Sequence, residues 1–176
     1  MDPVASLSLA QEGLRVMLGD CATFRGLCGA DDREEALPHL HHEGLPAPAE
    51  GSEHSKQELE AYRPYGVIYT DERNGFKRRR ASTGSFASSG RLKLRVYRSC
   101  PEAYEDEPTS DANLDWKNLI GQIVAELCAL AIAGGPEHLA FDDIAVDFGP
   151  YWSGPELAVT QGVWQAVELG IGWGGQ

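Results

Sequence analysis

The sequence predicts an α+β fold: a mostly antiparallel sheet with an N-terminal helix and a long helix packed on one face, plus a long protruding hairpin arm. Three observations support this prediction. Two segments repeat apolar residues at helical spacing, several others alternate apolar and polar residues, and only one long helix separates the earlier strands from the last two. The length of 176 residues favours a single domain, residues 1–176, around one core.

The two main helices have recognisable ends in the sequence. In "SLSLAQEGLRVMLGD", Ser8 and Gln11 are expected to form a capping box, and Gly19 is expected near the helix end. The short segment "ATFRGLCGA" is expected to form a second helical turn. In "SDANLDWKNLIGQIVAELCALAIAGG", Ser110 or Asp111 is expected to cap the start, and a glycine pair ends the helix. The predicted apolar side of this helix consists of Leu114, Leu119, Ile123, Leu127, Leu130 and Ile132.

The strands follow a polar, proline-interrupted region. Residues 31–63 are predicted to form an irregular loop, with a short extended piece near 39–45 and a helical turn in "SKQELEAYR". Beyond it, "YGVIYTDE", "GRLKLRVYRS", "LAFDDIAVDFG" and "GVWQAVELGIGWG" are predicted strands. In the second of these, Leu92, Leu94 and Val96 alternate with three basic residues, which is typical of a half-buried antiparallel strand.

The connection between the first two strands is unusual. The segment "NGFKRRRASTGSFASSG", residues 74–90, places Lys77, Arg78, Arg79 and Arg80 in succession, although the chain has 27 acidic and 15 basic residues and a net charge of −12. A hairpin connection of about twenty residues exceeds the usual two to five, and long loops tend to be functional or mobile. The segment could be a nucleic-acid contact, a solvated hairpin tip, or an arm that docks on an acidic partner.

Catalytic and metal-binding patterns are not found. The histidines of "HLHH", residues 39–42, lack a cysteine or carboxylate at a recognised ligand spacing, so a surface or interface cluster is expected. Asp142, Asp143 and Asp147 are expected on a solvent face or an edge. No Ser-His-Asp or Cys-His grouping occurs, and the closing "GIGWGG" is followed by no helix that could hold a phosphate. The sequence therefore predicts no enzyme, no cofactor and no metal.

The charge and the cysteine spacing limit which cellular compartment and which partner molecules are expected. No pair among the four cysteines has CxxC spacing, and free thiols are expected. The first residues lack the basic region of a secretory signal, and no transmembrane segment is predicted, so we expect a cytoplasmic protein in the producing cell. The net acidity argues against generic binding to duplex DNA, since phosphate contacts supply most of that affinity.

Two aromatic positions and one arm residue complete the candidate contacts. The segment "GPYWSGPE" is predicted to be a loop bounded by glycine and proline that presents Tyr151 and Trp152. Phe86 lies within the arm. Aromatic residues are enriched at protein interfaces, so these three residues, together with the basic run, are predicted to contact partners.

The order of these elements, and the pattern of apolar and polar residues along the strands, resemble those of a known class. The segments that carry the resemblance are "LAQEGLRVMLGDCATFRGLCGA", "ALPHLHHEGLP", "RPYGVIYTD", "GRLKLRVYR" followed by a long amphipathic helix, and "GVWQAVELGIGWG". Together they cover nearly the whole chain. They resemble tailed-phage neck proteins, the class of tail terminators, tail completion proteins and head-to-tail joining proteins.

The resemblance implies a structural protein of the virion neck, assembled in the host cytoplasm. Its subunit would form a homo-oligomeric ring, usually a hexamer, that binds the tail tube protein and the head connector or adaptor protein. DNA would pass transiently through the lumen, and an acidic lumen would let it slide without being held. In this hypothesis Lys77–Arg80 contact an acidic neighbour. The alternative is a small nucleic-acid-binding or regulatory adaptor that uses the same basic run.

Overall fold

The computed structural model describes residues 3–49, 51, 53–73, 76–80, 86–105, 107–134, 139–155 and 163–175. Within these ranges the fold is α+β, as predicted, with a six-stranded sheet in the order β1-β2-β4-β8-β7 and β3 paired to the free end of β4. Only the β1–β2 pair is parallel; the other pairs in this sheet are antiparallel. The helices are α1 (Pro3–Asp20), α2 (Ala22–Cys28), α3 (Arg33–Ala36), α4 (Lys56–Tyr62) and α5 (Ser110–Gly134), with a 3-10 turn at Leu37–His39. The strands are β1 (Leu40–His42), β2 (Tyr65–Thr70), β3 (Lys77–Arg80), β4 (Phe86–Ser99), β5 (Ala103–Tyr104), β6 (Glu107–Pro108), β7 (Leu139–Pro155) and β8 (Val163–Gly175).

The core lies between one face of this sheet and the two long helices. Leu92, Leu94 and Val96 of β4 are fully buried, as their alternation predicted. They pair in register with three alternate apolar residues of β8, so both strands turn one apolar face to the same side. Leu14 of α1 and Ile123 of α5 belong to the same buried cluster, so both helices cover this face. We call it the covered face and the opposite side the open face.

The N-terminal helix begins earlier than predicted. It starts at Pro3, so Ser8 and Gln11 lie inside the helix and the predicted capping box is wrong. Proline is well tolerated in a first helical turn, which allows this early start. The short helix α2 is confirmed, and Gly29 ends it in the left-handed conformation (φ 69°) that glycine adopts without strain.

The long helix buries most of its predicted apolar side, since Ile123 and Leu127 are in the core and Leu119 and Leu130 pack against it, but the prediction for Leu114 is wrong. Leu114 is 58% exposed, whereas Trp116 and Ile120 are buried beside Ile123 and Leu127. The buried positions therefore recur from Trp116 at intervals of four, three and four residues, and Leu114 lies off that stripe. Thr109, one residue before the predicted caps, accepts the backbone N–H of Ala112 at 3.2 Å. No helix in the described ranges is long and apolar enough to cross a membrane.

The polar region before the sheet contains two of the predicted elements. The extended piece near 39–45 is β1, and the helical turn is α4. A capping box begins α4, in which Ser55 accepts the N–H of Glu58 and the Glu58 carboxylate accepts the N–H of Ser55. This helix contacts the open face, because the Tyr62 ring meets Tyr65 edge-on at 6.5 Å between centroids.

A buried arginine ties α5 to the end of the sheet. Arg98 of β4 lies on the covered face, only 7% exposed. It donates to the Gln165 side chain at 2.9 Å, to the Ala112 carbonyl at 3.0 Å and to the Asp115 carboxylate at 2.7 Å. Its guanidinium carbon also lies 4.7 Å from the ring centroid of Trp116. The first turn of α5 is thereby fixed against β4 and β8.

The chain ends in a long antiparallel pair. β7 spans 17 residues and β8 spans 13. Residues 149–155 of the segment predicted as a contact loop lie within β7, where Trp152 pairs with Ala166, so the loop prediction is wrong for these residues. The strand tolerates proline because β7 is an edge strand. Register shifts between Asp142 and Trp152 bend β7 along its length.

Candidate interaction surface

The basic run forms a strand. Lys77–Arg80 make up β3, all four residues are exposed, and they pair with residues 86–89 at the start of β4. The predicted twenty-residue connection is therefore interrupted by a strand, which begins seven residues after the end of β2 and pairs antiparallel with the start of β4. Ser88 and Ser89 pair with β8 on their other side, so the base of the predicted arm belongs to the main sheet.

Some of the predicted contact positions lie partly outside the described residues. Residues 74–75 and 81–85 of the arm are not described. The backbone of Phe86 pairs with Arg80, and that of Tyr151 lies in β7, but the side chains of Phe86, Tyr151 and Trp152 are outside the described part of the structure. The predicted roles of these three side chains in partner contacts stay predictions.

Strand alternation divides the basic run between the two faces. Lys77 pairs with Ser89, which has the same parity in β4 as Arg91, Lys93 and Arg95 on the open face. Arg79 follows Lys77 on that face. Arg78 and Arg80 take the opposite parity. We call Lys77, Arg79, Arg91, Lys93 and Arg95 the basic row.

Two carboxylates partly balance the basic row. Asp143 of β7 accepts a hydrogen bond from Arg91 at 2.7 Å. Glu168 of β8 lies 3.1 Å from the Lys93 ammonium and 2.6 Å from Arg95. Burial alone would raise the pKa of Glu168, but the hydrogen bonds from Arg95 and Lys93 outweigh it and hold the pKa below its ordinary value. The row therefore keeps an excess of positive charge on its face.

A line of glycines runs beside the basic row. Gly170, Gly172 and Gly174 of β8 pair with Lys93, Arg91 and Ser89, so they occupy open-face positions. The residues that alternate with them, Leu169, Ile171 and Trp173, are buried in the core. The closing "GIGWGG" is thus a strand with apolar side chains on the covered face and no side chains on the open face. Gly170 is buried, whereas Gly172 and Gly174 are partly exposed. We call Gly172 and Gly174 the glycine track.

Two depressions border the basic row. The smaller, of about 310 Å³, lies where β3, β4, β7 and β8 meet; it is lined by Lys77, Ser89, Gly90, Arg91, Asp143, Gly172 and Trp173. The larger, of about 750 Å³, lies at the end of β2; it is lined by Glu43, Tyr69, Thr70, Asp71, Glu72, Arg73, Lys93 and Arg95. Its acidic and basic residues are balanced in number, whereas the smaller depression has two basic residues and one acid.

Aromatic rings occupy the other end of the open face. Tyr65 and Tyr97 stack at 4.7 Å between centroids, and Tyr97 lies 6.3 Å from Trp164. His41 meets Tyr62 edge-on at 5.7 Å, and its Nε2 has no hydrogen-bond partner among the described residues. Burial, followed by the nearby His39, Arg15 and His42, lowers the pKa of His41.

Two of the histidines contact other residues of the chain, and the cysteines form no disulfide bonds. His39 contacts the Pro64 carbonyl at 2.8 Å, and His42 contacts Glu12 at 3.3 Å. The described part of the chain has no group of three or more His, Cys, Asp or Glu side chains placed to hold a metal. All four cysteines are free thiols, as predicted, and burial raises the pKa of both Cys21 and Cys28 to about 12.

The basic run could be found from sequence, but the rest of the basic row was recognised only as a polar strand face. The signal was available in "RLKLR", where three basic residues share one face, and in the period-two glycines of "GIGWGG". Only the strand order shows that β3, β4 and β8 place these residues side by side. The chain matches no protein-family model and no curated protein.

Proposed function

We propose that the protein is a structural subunit of a tailed-phage neck. In this proposal a ring of subunits terminates or completes the tail tube and joins it to the head connector, and DNA passes through its lumen. The resemblance of the successive sequence segments to that class motivates the proposal. The α+β fold, with both long helices on one face of an antiparallel sheet, agrees with it.

The observation that carries the proposal is the edge strand β7. Eleven of its 17 residues pair with β8, and within the described ranges its other side pairs with no strand, whereas the opposite edge is the three-residue β1. Long exposed edges invite pairing with another chain, and natural proteins cover or blunt them. Val146 of β7 is 42% exposed, an apolar side chain on this edge. A neighbouring copy that pairs along β7 would cover the edge and extend the sheet around a ring.

The charge distribution also supports a ring. Heterologous contacts need two different, complementary patches on one chain. The basic β3 is exposed in a chain with a net charge of −12, so an acidic surface of an adjacent subunit, the tail tube or the connector is a suitable partner. The acidic remainder of the surface suits a lumen through which DNA slides.

The test is the native mass of the purified protein at micromolar concentration and moderate salt. We expect a closed oligomer near six subunits, and a central lumen in electron micrographs. Val146→Lys places a charge on the edge and should shift the equilibrium towards monomer. Leu114→Lys is the control, because it introduces the same charge at an exposed apolar residue of α5, 58% exposed against 42% for Val146. A chain that stays monomeric both alone and with tail tube and connector proteins contradicts the proposal.

A second candidate function is a nucleic-acid-binding adaptor. The observation that favours it is the basic row, in which five basic side chains follow one face of β3 and β4. This function requires binding to DNA or RNA that weakens steeply with salt and is lost when Lys77–Arg80 are neutralised. Titration of a labelled oligonucleotide at two salt concentrations separates the two candidates.

A further inference from the structure

We propose that the open face between β3 and β7 binds an extended acidic segment of a partner protein. The main chain of the segment lies along the glycine track, and its carboxylates pair with Lys77 and Arg91. The inference deepens the proposed function and rests on it for the partner, which is a neighbouring protein in the neck assembly.

The smaller depression supplies the charged end of this site. Lys77 on β3 and Arg91 on β4 stand on one side of it, and Gly172 of β8 forms part of its floor. Lys77 is exposed, and no described residue forms an ion pair with it. A carboxylate that enters the depression therefore meets two cationic side chains without having to displace a partner of Lys77.

The glycine track indicates that the ligand is extended and lies flat. Gly172 and Gly174 leave this part of β8 without side chains over one repeat of about 6.6 Å, the same repeat as that of an extended peptide. At Gly174 a Cβ would meet only ordinary contacts, 3.8 Å from the Ser88 carbonyl oxygen and 3.9 Å from the Ser89 Cβ. The packing of the subunit does not itself require glycine there, so the absent side chain leaves room for something outside the subunit.

Asp143 shows which chemistry the site accepts. Its carboxylate lies 2.7 Å from Arg91, although the side chain is 67% exposed and the residue has a positive φ of 48° beside a register shift of β7. Arg91 is thus already paired with a carboxylate of the chain itself. An incoming carboxylate competes with Asp143 for Arg91, so removal of the Asp143 charge should strengthen binding.

The face suits an acidic peptide better than a nucleic acid. Glu168 and Asp143 lie beside the basic row, where they repel a continuous phosphate backbone but leave separate positions for individual carboxylates. A peptide on this face also uses Lys77 and not Arg80, because adjacent strand residues point to opposite faces.

The test uses a fluorescein-labelled peptide of alternating glutamate and threonine, titrated with the full chain and followed by anisotropy. Asp143→Asn should tighten binding about two- to five-fold, the range expected when an exposed competing ion pair is removed. Lys77→Gln and Arg91→Gln should each weaken it by about threefold or more. Arg80→Gln is the matched control, since it removes the same charge from the same strand on the opposite face, and it should leave binding unchanged.

Three results overturn the inference: no binding of the peptide, equal losses for Lys77→Gln and Arg80→Gln, or tighter binding of an oligothymidylate of equal charge. These results are separable from the test of the ring. If the chain forms a ring and does not bind the peptide, the inference fails and the neck function stands. If the peptide binds and the variants change binding as expected, while the chain never assembles, the acidic-peptide site on the open face is supported and the proposed neck function is contradicted.

Discussion

Replacement of Arg98 by methionine tests whether this buried arginine holds α5 on the sheet. Methionine keeps the unbranched apolar stem, so the main loss is the guanidinium. Without the guanidinium, two buried acceptors lose a hydrogen bond from Arg98: the Gln165 side-chain oxygen, at 2.9 Å, and the Ala112 carbonyl oxygen, at 3.0 Å. Hydrogen bonds from a charged donor contribute about 1.5–3 kcal/mol each, and the contact with the Trp116 ring adds about 1 kcal/mol.

The net cost is smaller than the sum of these contributions. Methionine is uncharged, so the variant no longer carries the free-energy cost of burying a charge, and this offsets part of the loss. Gln165 also keeps its own hydrogen bond to the Asn113 side chain at 3.0 Å. We therefore expect Arg98→Met to lower the free energy of unfolding by about 3 kcal/mol. With an m-value of about 2 kcal/mol/M, the urea midpoint falls by about 1.5 M.

Asp115→Asn is the control for this prediction. Its carboxylate also pairs with Arg98, at 2.7 Å, but its side chain is 62% exposed, so the change should cost less than about 1 kcal/mol. Both variants are measured by urea unfolding followed by circular dichroism, at one protein concentration. The reasoning is refuted if Arg98→Met unfolds within about 0.3 M of the unchanged protein, or if Asp115→Asn is equally destabilising.

Three further predictions follow from exposed or titrating groups. Replacement of Lys77–Arg80 by glutamine should leave the thermal midpoint within about 2 °C, because all four residues are exposed, but should impair neck assembly; normal infectious particles from that variant would contradict the assembly role. The pKa of His41 is lower in the folded chain than the unfolded value of about 6.5, so the stability that His41 contributes is present above the unfolded pKa and is lost as pH falls through the folded pKa. We therefore expect His41→Phe to flatten the dependence of the free energy of unfolding on pH. An unchanged dependence would contradict this prediction. Cys21 and Cys28, with pKa values of about 12, should resist alkylation at neutral pH until the chain unfolds, and mass spectrometry of the native protein that finds rapid labelling of either would contradict their burial.

The strands could be predicted from sequence where the alternation of apolar and polar residues matches the alternation of buried and exposed positions. In β4 the apolar residues face the core and the basic residues face outward, so the alternation alone gave the correct faces. β8 was also predicted as a strand, and its apolar residues Val167, Leu169 and Ile171 are buried. Which residues of β4 lie beside its glycines depends on the strand pairing, which the sequence of β8 alone does not contain.

The errors arose where tertiary context outweighs local signals. Leu114 was assigned to the apolar side of α5 because the helix is apolar over a wide arc, and only packing on the sheet selects the stripe that includes Trp116. The segment "GPYWSGP" has the composition of a loop, but an edge strand needs hydrogen bonds on only one side and so accepts its prolines. The arm was predicted as a hairpin connection of about twenty residues because it lies between two predicted strands, and β3 was not identified within it. Pairing with β3 is a contact between segments that no local window contains.

The positions of the charges in the fold connect the edge strand, the basic row and the proposed assembly. Of the 15 basic residues in the chain, seven lie in Lys77–Arg80 or on the open face of β4, while the 27 acidic residues leave the chain at −12. A protein that used this charge only for solubility would gain nothing from collecting its cations on one strand and one sheet face. A heterologous interface does gain from it, because a cationic face and an acidic remainder attract in one orientation and repel when like faces meet. The same separation argues against a surface built mainly for nucleic acid, since the rest of the chain would repel any phosphate backbone that extends beyond the basic row.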